Sequence, residues 1–146
     1  MLAKGVLFLV VGLFVGAADK DDPDKTAKAL EGKWTVVAGE EGGKKAAASD
    51  IKDATVTIRG TGLTVHKAGR DEEMTFAIRK GGDKGEIDFT LTAGPDKGKT
   101  SRGIYSLEGD TLRITFAGPG EERPKEFTTA KDTKQMSWTL KRAGKE

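Results

Sequence analysis

Apolar residues recur at alternate positions through most of this chain, with polar or charged residues between them. The runs extend over Trp34 to Ala38, Ala54 to Ile58, Leu63 to Val65, Met74 to Ile78, Ile87 to Leu91, Tyr105 to Leu107, Leu112 to Phe116 and Met136 to Leu140. Because successive side chains of a β-strand point to opposite faces, this period indicates strands with one apolar face and one polar face. Phe127, which follows Pro124, predicts one further short strand.

Glycine-rich turn sequences separate the runs, for example at Arg59 to Gly62 and at Glu108 to Asp110. Glycine reaches the positive φ angles that tight hairpins require, so strands adjacent in sequence are expected to pair. Laid out as a flat sheet, these strands would leave two exposed edges, and closure of the sheet removes both. The sequence therefore predicts an all-β fold, an up-and-down antiparallel β-barrel of eight or nine strands, in preference to a sandwich.

The first 18 residues have the pattern of a secretory signal peptide. Lys4 precedes an apolar run, Gly5 to Val15, and small residues follow that run. A transmembrane helix needs about 20 apolar residues, and this run is shorter. We expect cleavage after Ala17 or Ala18, which would make the protein secreted or periplasmic and leave it without a stable membrane span.

The rest of the chain divides into three parts. Residues 19–27 are polar and contain a proline, and we expect them to form a flexible leader. Residues 28–142 hold the strand pattern and form the predicted barrel domain, and residues 143–146 are a C-terminal tail. Thr26 to Glu31, just before Gly32, is the helical candidate of this part of the chain.

Composition limits the chemistry that the chain can support. Its 25 basic and 23 acidic residues nearly balance, which predicts no electrostatic surface for nucleic acid. There is no cysteine, and the single histidine, His66, falls at an outward position of the strand pattern. Thiol chemistry is excluded, and neither a catalytic triad nor a histidine-rich zinc site is expected. Since no carboxylate is predicted to face inward, we expect no catalytic residues, no metal and no cofactor.

Ala93 to Thr100 has the spacing of a relaxed phosphate-binding loop. Such a loop binds phosphate only when a helix follows it, because the N-terminal amides of that helix meet the phosphate oxygens. The sequence predicts a strand after this segment instead. We therefore interpret it as the turn of a hairpin.

The tripeptide GKW at residues 32–34 lies at the start of the first predicted strand and follows the helical turn. It resembles the Gly-x-Trp motif of lipocalins, in which an arginine of the last strand packs across the indole and closes one end of the barrel. Arg142 is the matching position, because it shares the parity of Trp138. The resemblance implies that Gly32, Trp34 and Arg142 close the barrel, with a cation–π contact worth about 0.5–2 kcal/mol.

A second resemblance extends from Leu30 to Arg142. The segments LEGKWTVV, IDFTLTAGPDKGKTSRGIYSLEGDTLRI and GEERPKEF are similar to an uncharacterised small secreted domain of planctomycete bacteria with a lipocalin-like, calycin-type fold. Its most specific parts are the run from Gly103 to Leu112 and the tripeptide ERP at residues 122–124. The resemblance implies fold and export, since that family has no assigned activity.

The candidate ligand-binding side chains are five aromatic residues at inward positions: Phe76, Phe89, Tyr105, Phe116 and Trp138. They would either line an apolar cavity for one small molecule or fill the barrel. Three functions follow. The first is a non-catalytic binding module for a small apolar ligand inside the barrel, and the second is an envelope or extracellular domain with a filled core that binds another protein. The third, an enzyme or enzyme inhibitor acting from the rim, has the least support, so we expect a protein that is not an enzyme.

Overall fold

The computed structural model describes residues 22–67 and 69–143, so the predicted signal peptide lies outside the described residues. Two helices and nine strands form in these two ranges. The helices are α1 (Pro23–Leu30) and α2 (Ala48–Ile51). The strands are β1 (Gly32–Glu41), β2 (Lys44–Lys45), β3 (Thr55–Arg59), β4 (Gly62–Lys67), β5 (Arg70–Lys80), β6 (Lys84–Leu91), β7 (Thr100–Glu108), β8 (Thr111–Phe116) and β9 (Met136–Arg142).

Eight of these strands form a closed antiparallel barrel. From β3 to β9 each strand pairs with its neighbour in sequence, β1 pairs with β3, and β9 closes the ring by pairing with β1. The short β2 is an extra strand, paired only with the end of β1. The predicted all-β barrel is therefore confirmed.

Glycine occupies the first turn position of two tight hairpins. Gly60, between β3 and β4, and Gly109, between β7 and β8, have φ angles of 60° and 59°. Residues with a Cβ are strained in this left-handed region, so glycine fixes the turn and with it the register of the strands. The segment from Ala93 to Lys99 leads directly into β7, as the hairpin interpretation predicts.

Inward side chains fill the barrel. Trp34, Tyr105, Leu112 and Leu140 are completely buried. The void left between the apolar side chains of the interior measures about 20 Å³, which is room for about one water molecule. The interior is therefore a packed core.

Helix α1 covers one end of the barrel, termed the closed end. Leu30 is 1% exposed, and its carbonyl accepts a hydrogen bond of 2.9 Å from the indole Nε1 of Trp34. The hydroxyl of Thr26 accepts one of 3.1 Å from the backbone N–H of Gly82, in the turn between β5 and β6. These contacts join the helix to the core and to a hairpin.

The helix begins earlier than the sequence predicts, at Pro23 rather than at Thr26. The side chain of Asp22 caps it by accepting a hydrogen bond of 2.9 Å from the backbone N–H of Asp24. Proline suits the first turn because it has no N–H to leave unpaired there. Residues 23–27 of the expected flexible leader are therefore helical.

The further strand predicted at Phe127 does not form. Residues 117–135, here termed the long connection, run between β8 and β9 without a strand or helix. The carbonyl of Phe127 accepts hydrogen bonds from the hydroxyls of Thr115, at 3.2 Å, and Ser137, at 2.8 Å. Both hydroxyls lie on the outer face of the barrel, where the alternating sequence pattern predicts exposed side chains. Both residues are nevertheless buried. The long connection therefore covers the outside of β8 and β9, held by side chains instead of a strand ladder.

Arg123 fastens the long connection to the neighbouring strands. Its Nη1 donates a hydrogen bond of 2.9 Å to the carbonyl of Gly103 and lies 2.8 Å from Oδ1 of Asp88. That oxygen is buried and forms no hydrogen bond of good geometry, and Arg123 is its nearest cation. The same carboxylate also faces Arg79, whose Nε lies 3.7 Å from Oδ2, so removal of the Arg123 guanidinium would take away the closer of two counter-charges.

Candidate functional site

The predicted closure residues meet at the closed end. The guanidinium of Arg142 lies 4.3 Å from the centroid of the Trp34 ring. Its Nη1 and Nη2 donate hydrogen bonds of 3.1 Å to the carbonyls of Glu31 and Ala29. A Cβ at Gly32, whose φ is 128°, would lie 3.4 Å from the same guanidinium. Arg142 thus ties the last strand to α1 over the indole, in the arrangement that the lipocalin resemblance implies.

Three of the five aromatic residues proposed from the sequence, Phe76, Phe89 and Tyr105, are buried in the packed core. The other two, Phe116 and Trp138, are partly buried and pack against it. Phe89, Phe116 and Trp138 form a row of edge-to-face contacts, with ring centroids 5.5 Å and 5.9 Å apart, and all three line the 20 Å³ void. Trp138 also reaches the open end of the barrel, opposite the closed end.

A cavity of about 570 Å³, termed the cup, lies at the open end. Binding pockets for small molecules commonly measure about 300–1,000 Å³. Apolar side chains line the lower part of the cup: Val36, Ile51, Ala54, Val65, Met136 and Trp138. The cup therefore offers an apolar surface that the packed interior does not.

Gly39 lines the cup next to its apolar floor. In the β1–β9 ladder it is opposite Trp138, and its carbonyl accepts a hydrogen bond of 2.9 Å from the N–H of Ala46. A Cβ at this position would lie 3.5 Å from Ala46 and 3.7 Å from both Ile51 and Trp138, which are ordinary contact distances. Any longer side chain would extend into the cup, so glycine keeps this volume open.

The turn between β1 and β2, at the rim of the cup, is hydrogen-bonded to the long connection. Gly42 donates its backbone N–H to the carbonyl of Gln135 at 3.0 Å, and Gly43 donates its own to the hydroxyl of Thr129 at 2.7 Å. A Cβ at Gly42 would lie 2.8 Å from the carbonyl oxygen of Thr133. The two chain segments pack too closely here for a side chain, and each holds the other in position.

A β-bulge creates this geometry, and sequence reasoning missed it. The register between β1 and β9 shifts between Val36 and Ala38. An extra residue in one strand reverses the in–out alternation beyond it, so Gly39 and Glu41 face inward. Ala38, which the sequence predicts to be inward, is exposed. The pattern of apolar residues in the sequence does not reveal the bulge, because the residues that it turns inward are a glycine and a glutamate.

Charged side chains surround the mouth of the cup: Glu40, Glu41, Lys44, Lys45, Asp50 and Lys67. The carboxylate of Glu40 accepts a hydrogen bond of 3.1 Å from the N–H of Thr129. That of Asp50 accepts a weaker one, of 3.4 Å, from the N–H of Ala47. The prediction that no carboxylate faces inward is wrong at two positions: Glu41 lies opposite Met136, and Glu72 lies opposite Val65. Of the two, Glu41 lines the cup.

His66 belongs to a hydrogen-bonded row on the outer face of β3, β4 and β5. Its Nε2 lies 3.2 Å from the hydroxyl of Thr57, and its Nδ1 lies 2.8 Å from a carboxylate oxygen of Asp71. The sequence places His66 outward but gives no sign of the row, because its members meet only through strand register. The imidazole is 39% exposed and the carboxylate 62%, so the row is a solvated cross-strand contact, separate from the cup.

No family model, no curated protein and no solved structure matches this chain. The resemblance to the planctomycete domain family therefore stays a prediction. Within residues 22–67 and 69–143, no helix is long and apolar enough to cross a membrane. In the same ranges, no group of three or more histidine, cysteine or acidic side chains is arranged to hold a metal ion.

Proposed function

We propose that this protein is a non-catalytic binding module that holds a small molecule with an apolar body in the cup. The observation that carries the proposal is the cup itself, a 570 Å³ cavity with an apolar floor. Each Å² of apolar ligand surface that it removes from water contributes about 25 cal/mol. The proposed ligand lies at the open end rather than inside the barrel, because the interior void is only about 20 Å³.

A protein-interaction domain with a filled barrel is the alternative, and the packed interior is compatible with it. A protein-binding surface, however, commonly contains a contiguous exposed apolar patch. Among the large hydrophobic residues in the described part of the chain, Val37 is the exposed one, at 45%. The cup is the larger concentration of accessible apolar surface, and it favours a small molecule.

We further propose that the protein acts outside the cytoplasm, on the basis of the signal-peptide pattern between Lys4 and Ala18. Mass spectrometry of the protein purified from its own cells tests this point. The expected mature chain begins at Ala18 or Asp19. A chain that still begins at Met1 would contradict export by a cleaved signal.

Fluorescence titration with phenylnaphthylamine, an uncharged apolar probe, tests binding in the cup. The unaltered protein is expected to bind one probe molecule per chain with enhanced emission. Gly39→Leu places a side chain in the cup and is expected to abolish binding, whereas Gly39→Ala adds one methyl at ordinary contact distance and keeps it. Equal binding by all three proteins, or none by the unaltered protein, would overturn the proposal.

Native mass spectrometry gives a second test, on protein purified gently from its own cells. The unaltered chain is expected to carry an additional small-molecule mass that Gly39→Leu lacks. A bound mass present on both proteins would place its binding elsewhere on the molecule.

A further inference from the structure

We infer that the ligand of the cup carries an anionic group, which Lys67 binds at the mouth. The inference rests on the proposed function and narrows it to one ligand class. That class is a small amphiphile with an apolar body and a carboxylate, sulfonate or phosphate at one end.

The position of Lys67 follows from the strand pattern. It ends β4 two residues after Val65, and alternate residues of a strand point to the same face. Val65 belongs to the floor of the cup, and Lys67 lines the cup above it. An ammonium group therefore lies at the mouth, directly beyond the apolar surface.

At the mouth of the cup, the carboxylates form more hydrogen bonds with the rest of the protein than the ammonium groups do. Two of its three carboxylates accept backbone hydrogen bonds, those of Glu40 and Asp50. The side chains of Lys44, Lys45 and Lys67 form no ion pair or hydrogen bond with any residue in the described ranges. At the mouth, three ammonium groups and one carboxylate, that of Glu41, therefore form no ion pair or hydrogen bond within the described ranges.

The strand ladders single out Lys67 among the three lysines. Lys44 and Lys45 each lie opposite a glutamate of β1, and opposite charges in such pairs attract. Lys67 instead lies opposite Arg70 of β5. Like charges directly opposite each other repel, and an anion bound at Lys67 would relieve that repulsion. Neither Arg70 nor Glu72, which lies opposite Val65, is among the residues that line the cup, so Lys67 is the charged side chain that this ladder contributes to it.

Two probes with the same ring system test the inference, since they differ by one charged group. Anilinonaphthalene sulfonate carries an anionic sulfonate, and phenylnaphthylamine does not. The unaltered protein is expected to bind the sulfonate about two- to fivefold more tightly, the range for a partly exposed ion pair. The difference is expected to shrink as salt is added, because salt screens exposed charges.

Substitutions locate the effect. Lys67→Met is expected to remove the preference for the sulfonate over the neutral probe, and Lys67→Arg is expected to retain it. Lys84→Met, at the start of β6 near the closed end, is the matched control and is expected to change neither affinity. Circular dichroism and urea unfolding show whether each variant keeps the fold.

Three results would overturn the inference. If the unaltered protein binds both probes equally and Gly39→Leu abolishes both, the cup binds ligands but has no preference for anions. If Lys67→Met keeps the full preference, the anion is bound elsewhere. If the unaltered protein binds neither probe, the proposed function fails together with the inference.

Discussion

Gly39 of β1 lies directly opposite Trp138 of β9, and the missing side chain of the glycine keeps the space beside the indole open. The bulge between Val36 and Ala38 turns the glycine inward. Without that extra residue, Ala38 would face Trp138 and the alternation along β1 would continue unchanged. A local irregularity in one strand therefore decides the shape of the open end.

Alanine at two glycines is expected to have very different costs. A Cβ at Gly103 would lie 2.7 Å from the carbonyl oxygen of Thr115 and 2.9 Å from Cβ of Phe116. Overpacking of this kind typically costs about 1–3 kcal/mol, so Gly103→Ala is expected to lower the free energy of unfolding by that amount. Gly39→Ala, with contacts of 3.5 Å and longer, is expected to change it by less than about 0.5 kcal/mol. Urea unfolding measures both, and equal midpoints would contradict the close packing at Gly103.

Truncation of Arg142 is expected to loosen the closed end. Arg142→Ala removes the cation–π contact with Trp34 and both hydrogen bonds to the carbonyls of Ala29 and Glu31. The expected loss is about 1–3 kcal/mol in the free energy of unfolding. Arg142→Lys keeps the charge but not the planar fork, and an intermediate loss is expected.

Lys141→Ala is the control for this prediction, because Lys141 is the exposed neighbour of Arg142 in β9. It is expected to change stability by less than about 0.5 kcal/mol in the same urea titration. Equal losses from Arg142→Ala and Lys141→Ala would show that the contact with the indole does not stabilise the barrel.

Removal of the Arg123 guanidinium is expected to release the long connection without unfolding the barrel. Arg123→Ala breaks the hydrogen bond to Gly103 and removes the closer of the two guanidinium groups that face the carboxylate of Asp88, the other being that of Arg79. Amide hydrogen exchange within residues 117–135 is expected to accelerate about tenfold, equivalent to about 1.4 kcal/mol, while exchange in β3 to β5 stays unchanged. Lys125→Ala, an exposed change in the same segment, is the control. Uniform acceleration throughout the chain would contradict a local role for Arg123.

A buried hydroxyl and an exposed one offer a matched comparison. The hydroxyl of Tyr105 donates a hydrogen bond of 2.7 Å to the carbonyl of Gly82, and that of Thr90 shares one of 3.3 Å with Thr100 on the surface. Tyr105→Phe is expected to cost about 0.5–1.5 kcal/mol, because the carbonyl loses a donor that water cannot easily replace. Thr90→Ala is expected to cost less. Thermal unfolding checks the order, and a larger shift in the threonine variant would contradict it.

The barrel could be predicted because burial acts on every strand in the same way. Ile87 and Phe89 of β6, for example, are buried on one face, while Asp88 between them lies on the other, as the two-residue period requires. The prediction fails at Phe127, where an isolated aromatic residue in a polar segment was interpreted as strand. Hydroxyls of Thr115 and Ser137 satisfy its carbonyl instead, and such contacts between distant residues leave no local pattern.

The cup could not be predicted either, because it too depends on relationships between residues that are distant in the sequence. Gly39 and Glu41 face inward only because of the bulge, which apolar periodicity does not report. The charge environment of Lys67 depends on Arg70 across the β4–β5 ladder, a relationship set by register. The sequence correctly indicates an inward parity for Val65, and extending that parity to Lys67 would have suggested a cation at the barrel mouth.

The arrangement at the closed end determines where the protein can be linked to a support without covering the cup. Asp22, the first residue described, caps the helix that covers that end, and Ala143, the last, donates its N–H to the carbonyl of Lys33 at 2.8 Å. Both ends of the described chain thus emerge at one pole, and the cup opens at the other. A linkage made at Asp22 or at Ala143 would therefore lie at the closed end and leave the entrance of the cup facing solution, so protein immobilised in this way is suited to ligand-capture assays.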